Sequence, residues 1–174
     1  MQTSALGTAP TWDSFKYALY KVLDALKPKT VFEYGPGTST TIMAIYPSIE
    51  TIDSVEHNQA WFNKWKWDLP ENVNLIYQPQ MELYPETPGR LDKYDLIFVD
   101  GKEREKCLYV SRSRLNDNGV VILHDAERTN YQEMINSFKF QFWQDGGHTV
   151  ILTDSHMTSL RLMGAFDDSS NSPA

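Results

Sequence analysis

Carboxylates and an imidazole stand where two short apolar runs of the sequence end. Asp100 follows the run at residues 96–99, and His124 and Asp125 follow the run at residues 120–123. Such groups can remove the proton from an acceptor hydroxyl, or hold a divalent metal ion that lowers the pKa of that hydroxyl. Both chemistries require the two runs to be neighbouring strands that end at one edge of a sheet. We therefore predict Asp100, His124 and Asp125 as catalytic residues. If the reaction uses Mg²⁺, Asp100 and Asp125 are the predicted ligands of the ion.

A second polar stretch, residues 31–41, reads V-F-E-Y-G-P-G-T-S-T-T. Its β-branched and aromatic start predicts a strand that delivers Glu33 into a tight turn containing Gly35 and Gly37. Glycines let the backbone approach a ligand closely, and the free N–H groups at the start of the following helix can donate hydrogen bonds to it. The negative charge of Glu33 disfavours a pyrophosphate at this turn and favours a ligand with a cationic amino group.

An acidic residue also ends the next predicted strand, which covers residues 50–55. This residue, Glu56, lies about 20 residues beyond the glycine turn. At that place in a nucleotide-binding α/β fold, a carboxylate accepts hydrogen bonds from both ribose hydroxyls. Glu33 and Glu56 together indicate a binding site for a nucleoside that carries an amino group. They disfavour a plain strand-to-helix turn.

The glycine turn resembles the first motif of class I S-adenosylmethionine (SAM)-dependent methyltransferases, Asp/Glu-x-Gly-x-Gly, although Ser39 stands at the usual third glycine. The sequences V-D-G at residues 99–101 and G-V-V-I-L-H-D at residues 119–125 resemble the sugar and small-molecule O-methyltransferase branches of this superfamily. The resemblance covers residues 31–165. It implies SAM as the cofactor, Mg²⁺ as a second cofactor in some branches, and a small-molecule or glycan acceptor.

The resemblance also implies which residues contact SAM. It assigns the amino-acid portion to Glu33 and the glycine turn, the ribose to Glu56, and the adenine to a polar and an apolar residue after the third strand. The full predicted set is Glu33, Tyr34, Gly35, Gly37, Thr38, Ser39, Glu56, His57, Gln80, Met81 and Asp100.

Apolar strands alternate with helical patterns along the chain, which predicts an α/β fold with a doubly wound, Rossmann-like sheet and helices on both faces. The resemblance adds seven mostly parallel strands and an antiparallel last strand, in a closing hairpin that we expect at residues 148–153 and 159–165. We predict one domain at residues 11–166, after a flexible leader at 1–10 and before a disordered tail at 167–174.

Three further stretches bear on the predicted cleft. Trp61 and Trp65 lie one turn apart in a helix predicted at residues 57–69, and we expect them in the core or at an interface. Arg104 alternates with acidic neighbours in the next predicted helix, so we expect it on a solvated face. Residues 82–93 are rich in Pro and Gly and are expected to cover part of the cleft.

Composition excludes several classes of function. The 174 residues carry a net charge of −7, which opposes nonspecific binding to nucleic acid and to anionic membranes. The one cysteine, Cys107, excludes an internal disulfide and a thiolate metal cluster. No apolar run approaches the roughly 20 residues of a membrane span, and residues 1–10 lack a signal-peptide pattern, so a cytoplasmic protein is expected.

Two alternatives to a methyltransferase stay open, as does assembly into a homo-oligomer. A nucleotide- or NAD(P)-binding protein is disfavoured by Glu33 and by the missing third glycine. A noncatalytic or partner-dependent subunit of the same fold would suit the short chain. Within the methyltransferases, the sequence lacks the Asn/Asp-Pro-Pro-Tyr/Phe motif of enzymes that methylate nucleic-acid bases, which favours a hydroxyl acceptor.

Overall fold

The computed structural model describes residues 15–67 and 69–167, and seven strands within them form one sheet. The strands are β1 (Thr30–Tyr34), β2 (Thr51–Glu56), β3 (Val73–Tyr77), β4 (Tyr94–Val99), β5 (Leu115–His124), β6 (Phe140–Gln144) and β7 (Thr149–Thr153). Their order across the sheet is β3-β2-β1-β4-β5-β7-β6. β7 is antiparallel to both its neighbours, and the other strands run parallel to one another. The predicted sheet with an antiparallel last strand is confirmed.

Helices cover both faces of this sheet. They are α1 (Lys16–Leu26), α2 (Thr38–Ala44), α3 (Gln59–Trp65), α4 (Arg104–Ser113), α5 (Gln132–Ser137) and α6 (His156–Asp167), with short 3-10 helices at Thr129–Tyr131 and Asp145–Gly147. Alternate residues of the central strands point to opposite faces. One face packs against α1, α2 and α6, and the other packs against α4 and α5. Burial on both faces explains why these strands appear in the sequence as continuous apolar runs.

The strand register places four polar strand ends along one edge of the sheet. At their carboxyl ends, β1 is in register with β2 and β4, and β4 is in register with β5. The residues at these ends therefore lie side by side in the order Glu56, Gly35, Asp100 and His124. The sheet itself thus brings the predicted cofactor residues next to the predicted catalytic residues.

The closing hairpin lies one element earlier than predicted. It consists of β6 and β7, whereas residues 159–165 belong to α6. The helix before this hairpin ends at Ser137, and Phe138 is already extended, with ψ 143°. Leu160 and Leu162 alternate with polar residues as in a strand, yet they lie in a helix that packs on α1 through contacts such as Phe166 on Tyr17.

The predicted leader at residues 1–10 lies outside the described residues. So does the predicted tail, apart from Asp167 at the end of α6. Among the residues that the structure describes, no helix is both long enough and apolar enough to span a membrane.

Candidate active site

A cavity of about 770 Å³ opens at the carboxyl ends of β1, β2 and β4. It lies where the strand order reverses between β1 and β4, the usual position of ligands in open α/β sheets. Apart from Phe15, its lining residues come from the end of β2 and from the segments that follow these strands, including α3 and the start of α4. They are Gly35, Pro36, Gly37, Thr38, Ser39, Glu56, His57, Asn58, Ala60, Trp61, Lys64, Trp65, Asp100, Gly101, Lys102 and Arg104. Most of the predicted cofactor residues are among them.

The two glycines of the turn have different roles. Gly35 has φ 89°, and a Cβ there would lie 2.8 Å from the Cα of Gly101, so the turn packs directly on the chain that follows β4. Gly37 has an extended backbone with φ −169°, and a Cβ there would meet no heavy atom within 4 Å. Gly35 is thus required by the fold, whereas Gly37 leaves open space beside the cavity.

Glu33 lies behind the glycine turn, not in the cavity. It is fully buried, and its two oxygens accept hydrogen bonds from the hydroxyls of Ser39 at 2.6 Å, Thr40 at 2.6 Å and Ser54 at 2.7 Å. Burial raises the pKa of Glu33 to about 7, and the three hydrogen bonds oppose that rise. Glu33 therefore joins β1 to α2 and β2. Its predicted contact with the cofactor stays a prediction, and this geometry favours an indirect role through the turn.

Tyr34 is also outside the cavity lining. It is buried, and its hydroxyl donates a hydrogen bond of 2.7 Å to the carbonyl oxygen of Pro85. This bond holds the segment after β3 against β1. The position explains why a residue next to the glycine turn does not face the ligand space.

Glu56 occupies the place predicted for a ribose-binding acid. It lines the cavity at the end of β2, and its Oε1 accepts a hydrogen bond of 2.6 Å from the backbone N–H of Asn58. Nδ1 of His57 lies 2.9 Å from the same oxygen. These contacts fix the orientation of the carboxylate, and no described residue is hydrogen-bonded to its second oxygen, Oε2. A ligand with two adjacent hydroxyls suits such an acceptor.

One wall of the cavity comes from α3 and was not predicted. Trp61 is 40% exposed and lines the cavity, and its indole Nε1 donates a hydrogen bond of 2.7 Å to the carbonyl oxygen of Pro36 in the glycine turn. The ammonium of Lys64 lies 4.3 Å from the centre of the Trp61 ring. The prediction of a core or interface tryptophan missed this role because spacing along a helix does not say which loop the helix faces.

Gln80 and Met81 follow β3 as predicted, but they do not line the cavity. Tyr84, four residues after Gln80, does not line the cavity either, but it packs against His57, which does. It is fully buried, its ring lies edge-on to His57 at 5.7 Å, and its hydroxyl donates to the carbonyl oxygen of Val55 at 3.2 Å. The segment that contains Tyr84 thus packs beneath the cavity. The adenine contacts of Gln80 and Met81 stay a prediction.

The three predicted catalytic residues do converge. Nδ1 of His124 lies 3.1 Å from Oδ1 of Asp100, and its Nε2 lies 3.8 Å from Oδ1 of Asp125. Burial lowers the pKa of His124, but the hydrogen bond and charge of Asp100 and the charge of Asp125 outweigh burial and raise it above its ordinary value. Asp100 lines the cavity and the other two residues do not. Asp100 is therefore the member of the cluster that a substrate in the cavity can reach.

Arg104 stands at the centre of this cluster, in contradiction to the predicted solvated face. Its side chain is only 10% exposed, and its guanidinium lies 3.0 Å from Oδ1 of Asp100 and 3.0 Å from Oδ2 of Asp125. Asp125 has a left-handed backbone with φ 54° and also accepts a hydrogen bond of 2.9 Å from Arg128. The first turn of α4 thus carries its arginine inward, between the ends of β4 and β5.

The cluster has the donor types of a cation site, because one ligand atom from each of Asp100, His124 and Asp125 lies within 4.8 Å of the others. The guanidinium of Arg104, however, already contacts both carboxylates. A divalent ion would have to approach a fixed positive charge and would compete for the same oxygens. In this arrangement the residues do not fit the predicted Mg²⁺.

The chain has no match among family models and none among curated proteins, but it does match solved structures. A methyltransferase-like protein from Silicibacter pomeroyi has a TM-score of 0.65 and 16% identity, covering 91% of this chain and 96% of the other. A TehB-like SAM-dependent methyltransferase from Corynebacterium glutamicum has a TM-score of 0.57 and 12% identity, covering 83% and 94%.

Spermidine synthase from Thermotoga maritima has a TM-score of 0.62 and 12% identity, covering 93% of this chain and 66% of the other. Each likeness is a likeness of fold. The chain therefore shares its Rossmann-like fold with these solved structures, and it spans about two thirds of the length of this synthase.

Proposed function

We propose that this protein is a SAM-dependent methyltransferase that methylates a hydroxyl group of a small-molecule or glycan acceptor. The observation that carries the proposal is the composition of one cavity. A glycine turn, Glu56 and Asp100 come from three separate strand ends, and all of them line the cavity at the point where the sheet order reverses. The fold that the chain shares with the solved structures of a methyltransferase-like protein and a SAM-dependent methyltransferase supports the same conclusion.

Bound SAM supplies a methyl group activated by a positively charged sulfur. The protein then has to orient the two reactants and accept one proton. Glu56 would accept hydrogen bonds from the ribose of SAM, and the open space beside Gly37 would admit its amino-acid end. Asp100 would take the proton of the acceptor hydroxyl as that oxygen accepts the methyl group, and SAM would leave as S-adenosylhomocysteine, with the electrons of the broken methyl-sulfur bond on sulfur. His124 and Arg104 hold Asp100 in place.

The first test of this proposal is calorimetric titration with S-adenosylhomocysteine (SAH), SAM and NAD. We expect micromolar binding of SAH and a loss of at least tenfold in Glu56→Ala, because hydrogen bonds to a carboxylate contribute about 1.5–3 kcal/mol each. Glu50→Ala is the matched control, since Glu50 precedes β2 at its other end, where it pairs with Lys29. Binding of NAD alone, or of none of the three, would sink the proposal and favour a dinucleotide-binding or noncatalytic protein.

Asp100→Asn tests the chemical step separately from cofactor binding. The amide keeps the shape of the side chain but accepts a proton poorly, so we expect SAH affinity within a few-fold of the parent protein and a methyl-transfer rate at least 100-fold lower. The measurement is SAH release from SAM in the presence of a panel of sugars and phenols. A variant that keeps full activity would exclude Asp100 as the proton acceptor.

A further inference from the structure

We propose that Arg104 is a positioning residue whose guanidinium replaces a divalent cation between the ends of β4 and β5, so that the site works without a metal ion. The mechanistic part of this inference rests on the proposed function, whereas the electrostatic part does not. The two carboxylates come from different strands, and each is within 3.0 Å of the guanidinium. Arg104 thereby bridges two neighbouring strand ends, as a metal ion would.

Several hydrogen bonds hold the guanidinium of Arg104 in this position. An arginine has five N–H donors. Here Nε donates to the carbonyl of Gly101 at 2.9 Å, and Nη1 donates to the carbonyl of His124 at 2.5 Å and to the carboxylate of Asp125 at 3.0 Å. Nη2 donates to the carbonyl of Asp100 at 3.1 Å and lies 3.0 Å from Oδ1 of the same residue. Four hydrogen bonds and two ion pairs thus hold the guanidinium between the two strand ends. A lysine, with three donors on a point charge, cannot reproduce this pattern.

The charges around the cluster balance without an added ion. Two carboxylates, Asp100 and Asp125, face two guanidiniums, Arg104 and the half-exposed Arg128. Of these two arginines, Arg104 is the one whose ion pairs reach both carboxylates, and it is the more deeply buried. A divalent ion added here would be repelled at short range by a charge that cannot move away.

The same geometry predicts that Asp100, His124 and Asp125 would bind a metal ion if Arg104 were removed. The ligand atoms of Asp100, His124 and Asp125 already lie within 4.8 Å of one another. Carboxylates and imidazole are suitable ligands for Mn²⁺. Removing the guanidinium should therefore convert an ion-excluding cluster into an ion-binding one, a gain of function that a merely structural arginine would not produce.

The experiment is titration of the intact protein with MnCl₂, followed by calorimetry and by the Mn²⁺ paramagnetic resonance signal. We expect no binding below millimolar concentrations in the parent protein, and binding at least tenfold tighter in Arg104→Ala. The double variant Arg104→Ala with Asp125→Asn should lose that gain. Arg128→Ala is the matched control, since it removes an arginine from Asp125 but leaves Arg104 in place, and it should not bind Mn²⁺.

Two results would overturn the inference. One is Mn²⁺ binding by the parent protein that Asp125→Asn abolishes, which is measurable even where Arg104→Ala does not fold. The other is a folded Arg104→Ala that binds no Mn²⁺. SAH titration of the parent protein tests the proposed function separately from this inference. If SAH does not bind, the proposal of a methyltransferase fails, and the Mn²⁺ results still decide whether Arg104 excludes a metal ion.

Discussion

At the scale of single residues, the two glycines of the turn separate stability from ligand binding. Gly35→Ala places a methyl group 2.8 Å from the Cα of Gly101 at a φ of 89°. We expect it to lower the free energy of unfolding by about 2 kcal/mol or more, because strain at a left-handed residue and a backbone clash act together. Urea unfolding followed by circular dichroism gives the value.

Gly37→Ala is the counterpart, since its backbone is extended and its Cβ would meet no atom within 4 Å. We expect stability within about 0.5 kcal/mol of the parent protein. The added methyl group would stand beside the cavity, so SAH affinity should fall several-fold. Equal loss of stability in the two variants, or unchanged SAH binding by Gly37→Ala, would contradict this division of roles.

The sequence predicted which side chains lie together where a strand end positions them, and it failed to do so elsewhere. Asp100 and His124 follow apolar runs and Glu56 ends a predicted strand, and parallel strands carry such residues to one edge of a sheet. Arg104 lies among residues of both charge signs, so its pattern is that of a solvated helix face. Its burial depends on carbonyl and carboxylate groups at two strand ends, and contacts so distant along the chain leave no local signal in the sequence.

At the scale of elements, the fold class, the central strands and β7 followed from the sequence, while β6 and α6 did not. β4 and the apolar half of β5 are buried on both faces, which gives an unmistakable apolar run. β6 lies at the edge of the sheet and is only partly buried, so its pattern is weak. Residues 159–165 fit a period of two by chance, and tertiary packing against α1 decides in favour of a helix.

The link between α3 and the glycine turn provides a test at this scale. Trp61→Phe keeps an aromatic ring at the cavity wall but removes the hydrogen bond from Nε1 to the carbonyl oxygen of Pro36. A neutral hydrogen bond contributes about 1 kcal/mol, so we expect SAH affinity to fall about fivefold and the amides of the turn to exchange faster. Calorimetry and hydrogen exchange measure the two effects.

Trp67→Phe is the matched control for that variant. Trp67 lies two residues beyond α3, is 78% exposed and does not line the cavity. The same substitution there should leave SAH affinity and exchange of the turn unchanged. An equal effect of both variants would indicate that a general loss of packing around α3, and not the hydrogen bond from α3 to the turn, determines SAH affinity.

At the scale of the whole molecule, two buried carboxylates make the free energy of unfolding depend on pH in opposite directions. Burial raises the pKa of Asp53, but hydrogen bonds from Tyr94, Asn74 and the backbone of Arg90, with the charge of Arg90, hold it below its ordinary value. Its stabilising effect is therefore present above the pKa of an unfolded aspartate and is lost as the pH falls through the lowered pKa. The pKa of Glu33 is raised to about 7, so its contribution has the opposite sign.

The folded protein binds the proton of Glu33 more tightly than the unfolded chain does, so this contribution is complete below about pH 4 and is lost as the pH rises through 7. Glu33→Gln has no proton to lose at this position. Between pH 5 and pH 8 we therefore expect the free energy of unfolding of Glu33→Gln to rise by about 2 kcal/mol relative to that of the parent protein. Urea unfolding at intervals of one pH unit measures it, with the exposed Glu50→Gln as control. A difference that stays flat, or that falls with pH, would mean that the three hydroxyl donors keep Glu33 ionised in spite of its burial.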